Sequence, residues 1–390
     1  MLLFGHEPAT DTAPGDIQGG STGVLPYQEI VNLHRERVIG SRAEILPAQF
    51  QPASLDLRLG STAYRVRASF LPGPRATVLD KIKELDGYEI DLKEGAVLER
   101  GCVYVIPLLE SVKLKGNLTA LANPKSSIGR LDILTRLITD RSAAFDLVDR
   151  LYDGPLYVEV APRTFSVVVR KGSRLNQLRF RRGTPTIAIS DLKNSLERGL
   201  LISPNPGDQL LRDGRVGVTI DLRGLGHGKL IGYRAQKHTD RIDVDRIGHY
   251  DPSGFWEPIY NYRDRPIILN PDDFYILTTL ESVGVPARYA AEMVAYDTTV
   301  GEFRVHYAGF FDPGFGCNPA GPARLQSKAV LEVRSHEVPF MLEHGQMIGW
   351  LRYERMAGIP DRLYGDAVGS SYQNQGLALA KQFRAPDTNS

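Results

Sequence analysis

The feature of this sequence that most limits its fold is an internal duplication. Val103–Val112 matches Phe274–Val283 at an offset of 171 residues, and both segments end in Leu-Glu-Ser-Val. Four further matches keep the same order while their offset grows from about 163 to 173: Tyr27–Ile39 with Asp191–Ile202, Ser54–Arg58 with Thr219–Arg223, Tyr157–Val160 with Val330–Val333, and Leu178–Phe180 with Leu351–Tyr353. One match arises easily by chance, but an ordered series of five does not. We therefore interpret the chain as two copies of one unit.

The boundary between the copies is predicted near residue 184, in the segment Arg182–Thr186. This segment contains Gly and Pro, which interrupt regular secondary structure. We expect the first unit at residues 23–183 and the second at residues 184–390. Residues 1–22 and 384–390 are expected to be flexible ends.

Each copy is predicted to open with a short helix and to continue as strands. In the second copy, Ser190 is suited to cap the start of the helix and Gly199 to end it. Segments rich in Val, Ile, Leu, Tyr and Phe follow, broken by Gly, Pro or Asp; examples are Val103–Leu109, Leu156–Val160, Phe165–Val169, Phe274–Leu280 and Ala329–Val333. This spacing predicts a mainly all-β chain of antiparallel sandwiches or barrels. No strand–helix alternation or Gly-rich phosphate loop supports a Rossmann or P-loop domain.

Charge and cysteine content narrow the class of protein. The chain has 47 Lys and Arg against 46 Asp and Glu, and this balance argues against bulk nucleic-acid binding. No apolar run reaches the roughly 18 residues of a membrane span, and the N-terminus lacks the features of a secretory signal. The two cysteines, Cys102 and Cys317, are too few for a disulfide framework or a Cys-based zinc site. We expect a cytoplasmic protein with neither a membrane nor a nucleic-acid partner.

The segment Asn123–Arg130 is the first candidate for chemistry. It reads Asn-Pro-Lys-Ser-Ser-Ile-Gly-Arg and combines two hydroxyls, two cations and a glycine. Hydroxyl and backbone N–H groups can hold phosphate oxygens while Lys and Arg supply charge. The alternative is a simple helix start, capped by Ser126, with Lys125 and Arg130 in solvent. At an offset of 172, Asp297 and Glu302 replace Lys125 and Arg130, so the two copies are predicted to do different jobs.

Two further motifs lie in the second copy. His306–Gly316 places aromatic residues around Asp-Pro-Gly, which suits a hairpin that holds a flat ring, or simply a hairpin with core aromatics. Ser370–Gly376, followed by Lys381, is either a disordered end or a lid over a ligand. Asp140 stands at the hairpin position of the first copy, but neither the Pro-Gly-aromatic element nor the tail recurs there.

The fourth candidate is Glu332 in Val-Leu-Glu-Val, with Glu159 as its twin in the first copy. Strand alternation alone predicts an exposed carboxylate. A buried carboxylate would instead have a raised pKa suited to moving protons. No His–Cys or Cys–Cys spacing of a zinc deaminase accompanies these motifs.

Taken in order, these motifs resemble the dCTP deaminase family of the dUTPase superfamily, in its double-length, fused-repeat bacterial form. The resemblance rests on Ser-Ser-x-x-Arg, Asp-Pro-Gly-aromatic, Val-Leu-Glu, a late Tyr-x-Asn-Gln-Gly and the early segment Pro52–Gly60, and it covers residues 24 to 381. It implies two tandem, distorted jelly-roll β-barrel units with short helices. It also implies conversion of dCTP and water to dUTP and ammonia without zinc.

The resemblance assigns roles to ten residues. Glu332 is the implied general base, and Ser126 and Arg130 are implied to hold the attacking water and the transition state. Substrate-binding roles are implied for seven residues: Lys125 and Ser127 at the phosphates, the backbone of Ala308 at the base, Asp312 and Phe315 at the sugar and ring, and Tyr372 and Gln375 over the triphosphate. Mg²⁺ is expected as a companion of the triphosphate, with no protein-bound zinc.

The implied residues are divided between the copies, which predicts a site at an interface between units. The family assembles units in threes, so a homo-oligomer is expected, either three two-unit chains or a two-fold dimer. Expected ligands are dCTP and dUTP, with dTTP as a candidate inhibitor. Two alternatives stay open: an enzyme that also hydrolyses dUTP to dUMP, and an inactive nucleotide-binding regulatory protein.

Overall fold

The computed structural model describes residues 21–205, 207, 210–224, 229–294, 303–304 (backbone only), 309–317, 325, 327–335, 337–365, 372 and 375–385. The expected N-terminal tail therefore lies almost wholly outside the described residues, as do Ala308, Asp297 and Glu302. No helix in the described part is long and apolar enough to cross a membrane.

Helices are few and short. They are α1 (Tyr27–Arg35), α2 (Val78–Glu84), α3 (Ser126–Gly129) and α4 (Ile189–Glu197), with 3₁₀ turns at Pro47–Gln49 and Pro252–Gly254. The expected cap at Ser190 is wrong. The N-cap residue of α4 is Ala188, two residues earlier, and it makes no side-chain capping hydrogen bond. Gly199 has a φ of +65° just beyond this helix, a conformation that glycine adopts without strain.

Strands make up most of the regular secondary structure in the described residues. The first half contains β1 (Gly23–Val24), β2 (Ile39–Ser41), β3 (Leu55–Leu57), β4 (Thr62–Val66), β5 (Tyr88–Asp91), β6 (Ala96–Leu98), β7 (Val103–Lys113), β8 (Leu118–Pro124), β9 (Ile133–Thr139), β10 (Leu147–Val148), β11 (Asp153–Pro162), β12 (Val167–Val169) and β13 (Asn176–Arg182). The second half contains β14 (Ile202–Ser203), β15 (Leu211–Arg212), β16 (Arg215–Thr219), β17 (Leu230–Ala235), β18 (Ile242–Asp243), β19 (Trp256–Tyr260), β20 (Ile267–Leu269), β21 (Phe274–Val283), β22 (Tyr289–Val294), β23 (Phe303–Arg304), β24 (Phe310–Phe311), β25 (Lys328–Ser335), β26 (Phe340–Leu342) and β27 (Met347–Arg355).

The expected strands lie within these elements, except that the strand predicted from Phe165 begins at Val167. Sheet order repeats between the halves: β5-β4-β7-β11-β9 in the first corresponds to β19-β17-β21-β25-β23 in the second. The short pair β6–β12 likewise corresponds to β20–β26. The all-β prediction with two dUTPase-like units is thus confirmed.

The second half contributes directly to the packing of the first. One apolar core lies within the second half, around β16, β21, β25 and β27. The larger core belongs to the first half but also takes in Trp256, Phe255 and, from the C-terminal segment, Phe383. Strand β18 extends the first half's sheet by pairing in parallel with β12. The two units are therefore joined through shared core and sheet, and this fixes the surfaces between which the site forms.

Candidate active site

A cavity of about 450 Å³ lies between the two units, and both contribute to its wall. Nine of the ten residues singled out from the sequence line it: Lys125, Ser126, Ser127 and Arg130 from the first unit, and Asp312, Phe315, Glu332, Tyr372 and Gln375 from the second. The tenth, Ala308, lies outside the described residues. Both sets belong to one chain, so the interface between units that the sequence predicted is an intrachain one.

The hydroxyl pair lies on the four-residue helix α3. Lys125 is its N-cap residue, in extended conformation, and the backbone N–H of Lys125 donates to the Leu175 carbonyl at 2.9 Å. The helix-start interpretation of this segment was therefore correct about the backbone. It was wrong about the cap, since the Ser126 side chain makes no capping hydrogen bond. Ser126 and Ser127 instead line the cavity.

Lys125 is held by a carboxylate that the sequence reasoning missed. Its Nζ lies 2.5 Å from both carboxylate oxygens of Asp56, and Nη1 of Arg174 lies 3.4 Å from one of them. Asp56 is 1% exposed, on β3. A signal was present, because Asp56 is the centre of a repeated segment; in the second unit its counterpart Asp221 pairs with Lys328 at 2.6 Å.

The C-terminal segment, of which the structure describes Tyr372 and residues 375–385, holds the side chain of Arg130. The guanidinium donates to the Gln375 side chain at 2.9 Å and to the Ala378 carbonyl at 3.0 Å, and it lies 3.8 Å from the centre of the Tyr372 ring. Arg130 is 3% exposed. Of the segment seen in the sequence as either tail or lid, Tyr372 and Gln375 line the cavity, as does the following Lys381, while 370, 371, 373 and 374 lie outside the described residues.

Glu332 lies on β25 and is only 2% exposed. The alternation-based expectation of an exposed carboxylate is wrong here and at Glu159, because β25 and β11 are buried on both faces near these residues. The Glu332 carboxylate lies against α3: a methyl group built on Gly129 would be 2.7 Å from its Cδ. A buried carboxylate is thereby brought to the turn that carries Ser126 and Arg130.

Asp312 and Phe315 follow β24 in the described part of the predicted hairpin segment, Gly309–Gly316. In the described residues β24 pairs with β22, whereas β23 pairs with β25, so these two strands do not pair as a hairpin. Arg179, a fully buried residue of the first unit, donates to Asp312 Oδ1 at 3.0 Å and to the Phe311 carbonyl at 3.2 Å. Burial raises the pKa of Asp312, while Arg179 acts in the opposite direction. Phe315 packs edge-on against Phe311, with ring centroids 5.1 Å apart. Arg179 was missed as a site residue, although it is the central residue of the repeated Leu178–Phe180 segment.

Asn123 links the hairpin to the first unit. Its Oδ1 accepts a hydrogen bond from the backbone N–H of Gly309 at 2.6 Å. Gly309 directly follows Ala308, whose backbone the resemblance places at the base. The contact therefore fixes the backbone at Gly309, where the described part of this segment begins.

Lys381 lines the same cavity, near Lys125 and Arg174. Burial lowers its pKa below the usual 10.5, and the two nearby cations act in the same direction against the opposing effect of Asp56 and Asp245. An anion that enters the cavity would stabilise the protonated, positively charged form of this lysine.

The twin carboxylate in the first unit has a different environment. Glu159 is 1% exposed, and its Oε1 accepts two hydrogen bonds from Arg136, at 2.6 and 3.1 Å. The Arg136 guanidinium in turn stacks 3.8 Å from the Phe145 ring centre. Asp140, at the position of Asp312, accepts from the backbone N–H of Val78, the first residue of α2. Both carboxylates of the first copy are thus engaged in structural contacts.

The fold and the cavity define a class of protein: a tandem pair of jelly-roll units with a charged, nucleotide-sized pocket between them. Models of the N-terminal and C-terminal domains of 2'-deoxycytidine 5'-triphosphate deaminase match residues 21–184 and 189–383. The chain belongs to the dCTP deaminase family.

Individual relatives agree with this membership. The crystal structure of 2'-deoxycytidine 5'-triphosphate deaminase from Agrobacterium tumefaciens superposes with a TM-score of 0.82 at 52% identity, covering 87% of this chain and 100% of that one. A protein of Shewanella amazonensis named dCTP deaminase is 28% identical over 211 residues, 50% of this chain and 95% of its own. A Leifsonia xyli protein named dCTP deaminase, dUMP-forming, is 26% identical over 192 residues, 47% of this chain and 91% of its own. These two relatives match about half of the chain, as the duplication predicts.

Proposed function

We propose that this enzyme hydrolyses the amino group of dCTP, giving dUTP and ammonia, in the cavity between its units. The observation that carries the proposal is the position of Glu332. A buried carboxylate lies against the α3 turn in a cavity of nucleotide size, beside the Ser126 and Arg130 side chains. Family membership supports the reaction class, and the cavity supports the assignment of roles.

Glu332 is proposed to carry both proton transfers. It takes a proton from water as the water oxygen bonds to C4 of cytosine, and this proton moves to N3. It then takes the remaining hydroxyl proton and delivers it to the amino nitrogen. The C4–N bond breaks, ammonia leaves, and a C4 carbonyl remains. A single carboxylate can serve as base and then as acid when bulk water is kept away, and the buried position of Glu332 supports this.

Ser126 and Arg130 are proposed to orient the water and to stabilise charge that develops during attack. The Arg130 guanidinium is held by Gln375 and by the Ala378 carbonyl. Prearranged groups cost little reorganisation at the moment of reaction. Closure of the C-terminal segment over the cavity would thereby complete the catalytic set.

The triphosphate is proposed to lie along Lys125, Ser127, Arg174 and Lys381. Three of these four are cations on one part of the cavity wall, and Lys and Arg bind phosphate oxygens through charge-assisted hydrogen bonds. The substrate would be the Mg²⁺ complex of dCTP, with the ion held by phosphate oxygens. Since dTTP carries the same triphosphate, it would compete for this part of the cavity.

The hairpin is proposed to recognise the base and sugar. Asp312, oriented by Arg179, and Phe315 line the cavity from the second unit. The Ala308 backbone is proposed to face the base. Tyr372 and Gln375 are proposed to close over the bound nucleotide.

We further propose that the chain works with one site and without zinc. In the first unit, Arg136 donates twice to Oε1 of Glu159, whereas the hydroxyls and the Arg130 guanidinium that the reaction needs line the cavity with Glu332. The zinc deaminase signature needs paired cysteines, whereas this chain has only Cys102 and Cys317, far apart in sequence. Assembly into a homo-oligomer and a cytoplasmic location stay predictions.

A second candidate function is the direct formation of dUMP. It is favoured by the names of relatives in Leifsonia xyli and Nocardia farcinica, both called dUMP-forming, the second 28% identical over 169 residues. Hydrolysis of dUTP needs a base near the α-phosphate. Asp56 and Asp312 are both held by cations, and this supports dUTP as the final product.

The test compares Glu332→Gln with the matched variant Glu159→Gln. The amide keeps the side-chain shape but cannot accept a proton, so ammonia release by the first should fall about 10²- to 10⁴-fold while dCTP binding stays within about tenfold. The second should retain nearly full turnover. Retained turnover in Glu332→Gln would rule out the proposed base, and an equal loss in both would rule out a single site. Pyrophosphate release by the wild type would establish the dUMP-forming alternative.

A further inference from the structure

A buried ion pair crosses the contact between the units beside the proposed base. An Arg334 Nη2 donates to Asp132 Oδ2 and, at 2.9 Å, to the hydroxyl of Thr164, which itself donates to the same Asp132 oxygen at 2.6 Å. Arg334 Nη1 donates to the Asp272 carbonyl at 2.8 Å. Asp132 is fully buried and Arg334 is 6% exposed. The pair therefore joins the first unit to the second with little access to solvent.

The two partners lie next to the two halves of the site. Asp132 is two residues beyond Arg130, and its φ of +56° turns the chain from α3 into β9. Arg334 is two residues beyond Glu332 on β25. Residues i and i+2 of a strand point to the same face, about 6.6 Å apart. The ion pair thus holds the strand that carries the base against the turn that carries Arg130.

The arginine of this ion pair has no counterpart in the first unit. At the offset of 173 that aligns Glu332 with Glu159, Arg334 corresponds to Ala161, which cannot form an ion pair. A buried ion pair is seldom favourable for stability by itself, because both charges lose their hydration. Its position two residues from Glu332, with no aligned ion pair at Ala161 two residues from Glu159, supports a role in the site.

We propose that Asp132 and Arg334 are positioning residues that set the separation between Glu332 and the α3 turn. This inference rests on the proposed function of Glu332. A displacement of about 1 Å between reacting groups costs on the order of 100-fold in rate. Lys125 and Ser127 stay held within the first unit, because Lys125 pairs with Asp56 and its backbone N–H donates to the Leu175 carbonyl. Loss of the pair should therefore displace mainly Glu332, which the second unit carries, so kcat should fall while KM stays nearly unchanged.

The test removes both charges together, in Asp132→Asn/Arg334→Met, because a single change leaves a buried charge without its partner and endangers folding. Asparagine tolerates the positive φ at position 132. We expect a melting temperature near that of the wild type, a kcat about 30- to 100-fold lower, and a KM within threefold. Arg334→Lys keeps a cation near Asp132 and should recover part of kcat.

The matched control is Arg181→Met/Glu354→Gln. This pair also joins the two units, with 2.6 Å between charged atoms and side chains 14% and 6% exposed, but it does not line the cavity. We expect its kcat to stay within threefold of wild type. The inference is overturned if Asp132→Asn/Arg334→Met keeps wild-type kcat, or if both double variants lose kcat equally and in proportion to lost folded protein. A wild type that releases no ammonia from dCTP would instead refute the proposed function.

Discussion

Gly129→Ala is expected to separate catalysis from folding. A Cβ at this position would lie 2.5 Å from Oε1 of Glu332 and closer still to Oε2, whereas ordinary contacts begin at 3.4 Å, so the carboxylate must retreat by about 1 Å. The backbone itself accepts alanine, because Gly129 ends α3 without a positive φ, and alanine is favoured over glycine in helices by up to about 1 kcal/mol. The clash therefore acts on the movable end of the proposed base.

A shift of this size should lower kcat about 100-fold, with KM for dCTP within threefold and no fall in melting temperature. Ammonia release under saturating dCTP measures the first quantity, and thermal unfolding measures the last. Gly254→Ala is the matched control, because a Cβ there meets nothing within 4 Å, and it should behave as wild type. If Gly129→Ala kept wild-type kcat, the contact between α3 and Glu332 would have no part in the reaction.

Two further predictions concern the triphosphate and metal. Lys381→Met should raise KM for dCTP about 10- to 100-fold through loss of one charge-assisted contact. Burial and nearby cations lower the pKa of Lys381 below the 10.5 of an ordinary lysine. The wild-type KM should therefore rise when alkaline pH removes the charge of Lys381, and Lys381→Met should lack this rise. The same pH dependence of KM in the variant would refute the assignment. Enzyme treated with a strong zinc chelator and then dialysed into Mg²⁺ should keep full turnover, and restoration only by added zinc would contradict the zinc-free mechanism.

The duplication carried most of what the sequence could predict. An ordered series of matches, of which Val103–Val112 with Phe274–Val283 is one, implied two copies of one unit, and the repeated sheet order agrees. Helix α4 was predicted correctly, but its start was wrongly placed at a Ser190 cap, because nothing local distinguishes an N-cap serine from one inside the first turn. Strand alternation failed at Glu332 and Glu159 because it presumes one face in solvent, whereas these strands are buried on both faces.

The site was only partly predictable for a physical reason. Motif residues could be identified locally, but the partners that hold them are distant in sequence: Asp56 is 69 residues from Lys125, and Arg179 is 133 residues from Asp312. The alignment of the two copies also gave no sign that Arg136 donates hydrogen bonds to Glu159 in the first unit. Such pairings depend on how two units dock, which no local pattern records.

The central proposal is that one chain builds one site from both of its units. The most direct test co-expresses inactive Arg130→Glu and inactive Glu332→Gln chains with different affinity tags, purifies any species that carries both, and measures ammonia release from dCTP. Because Arg130 and Glu332 line the same cavity within one chain, we expect the mixed species to show only the residual activities of the two variants. Recovery of substantial activity would mean that the two halves of a working site come from different chains, contrary to the intrachain site described above.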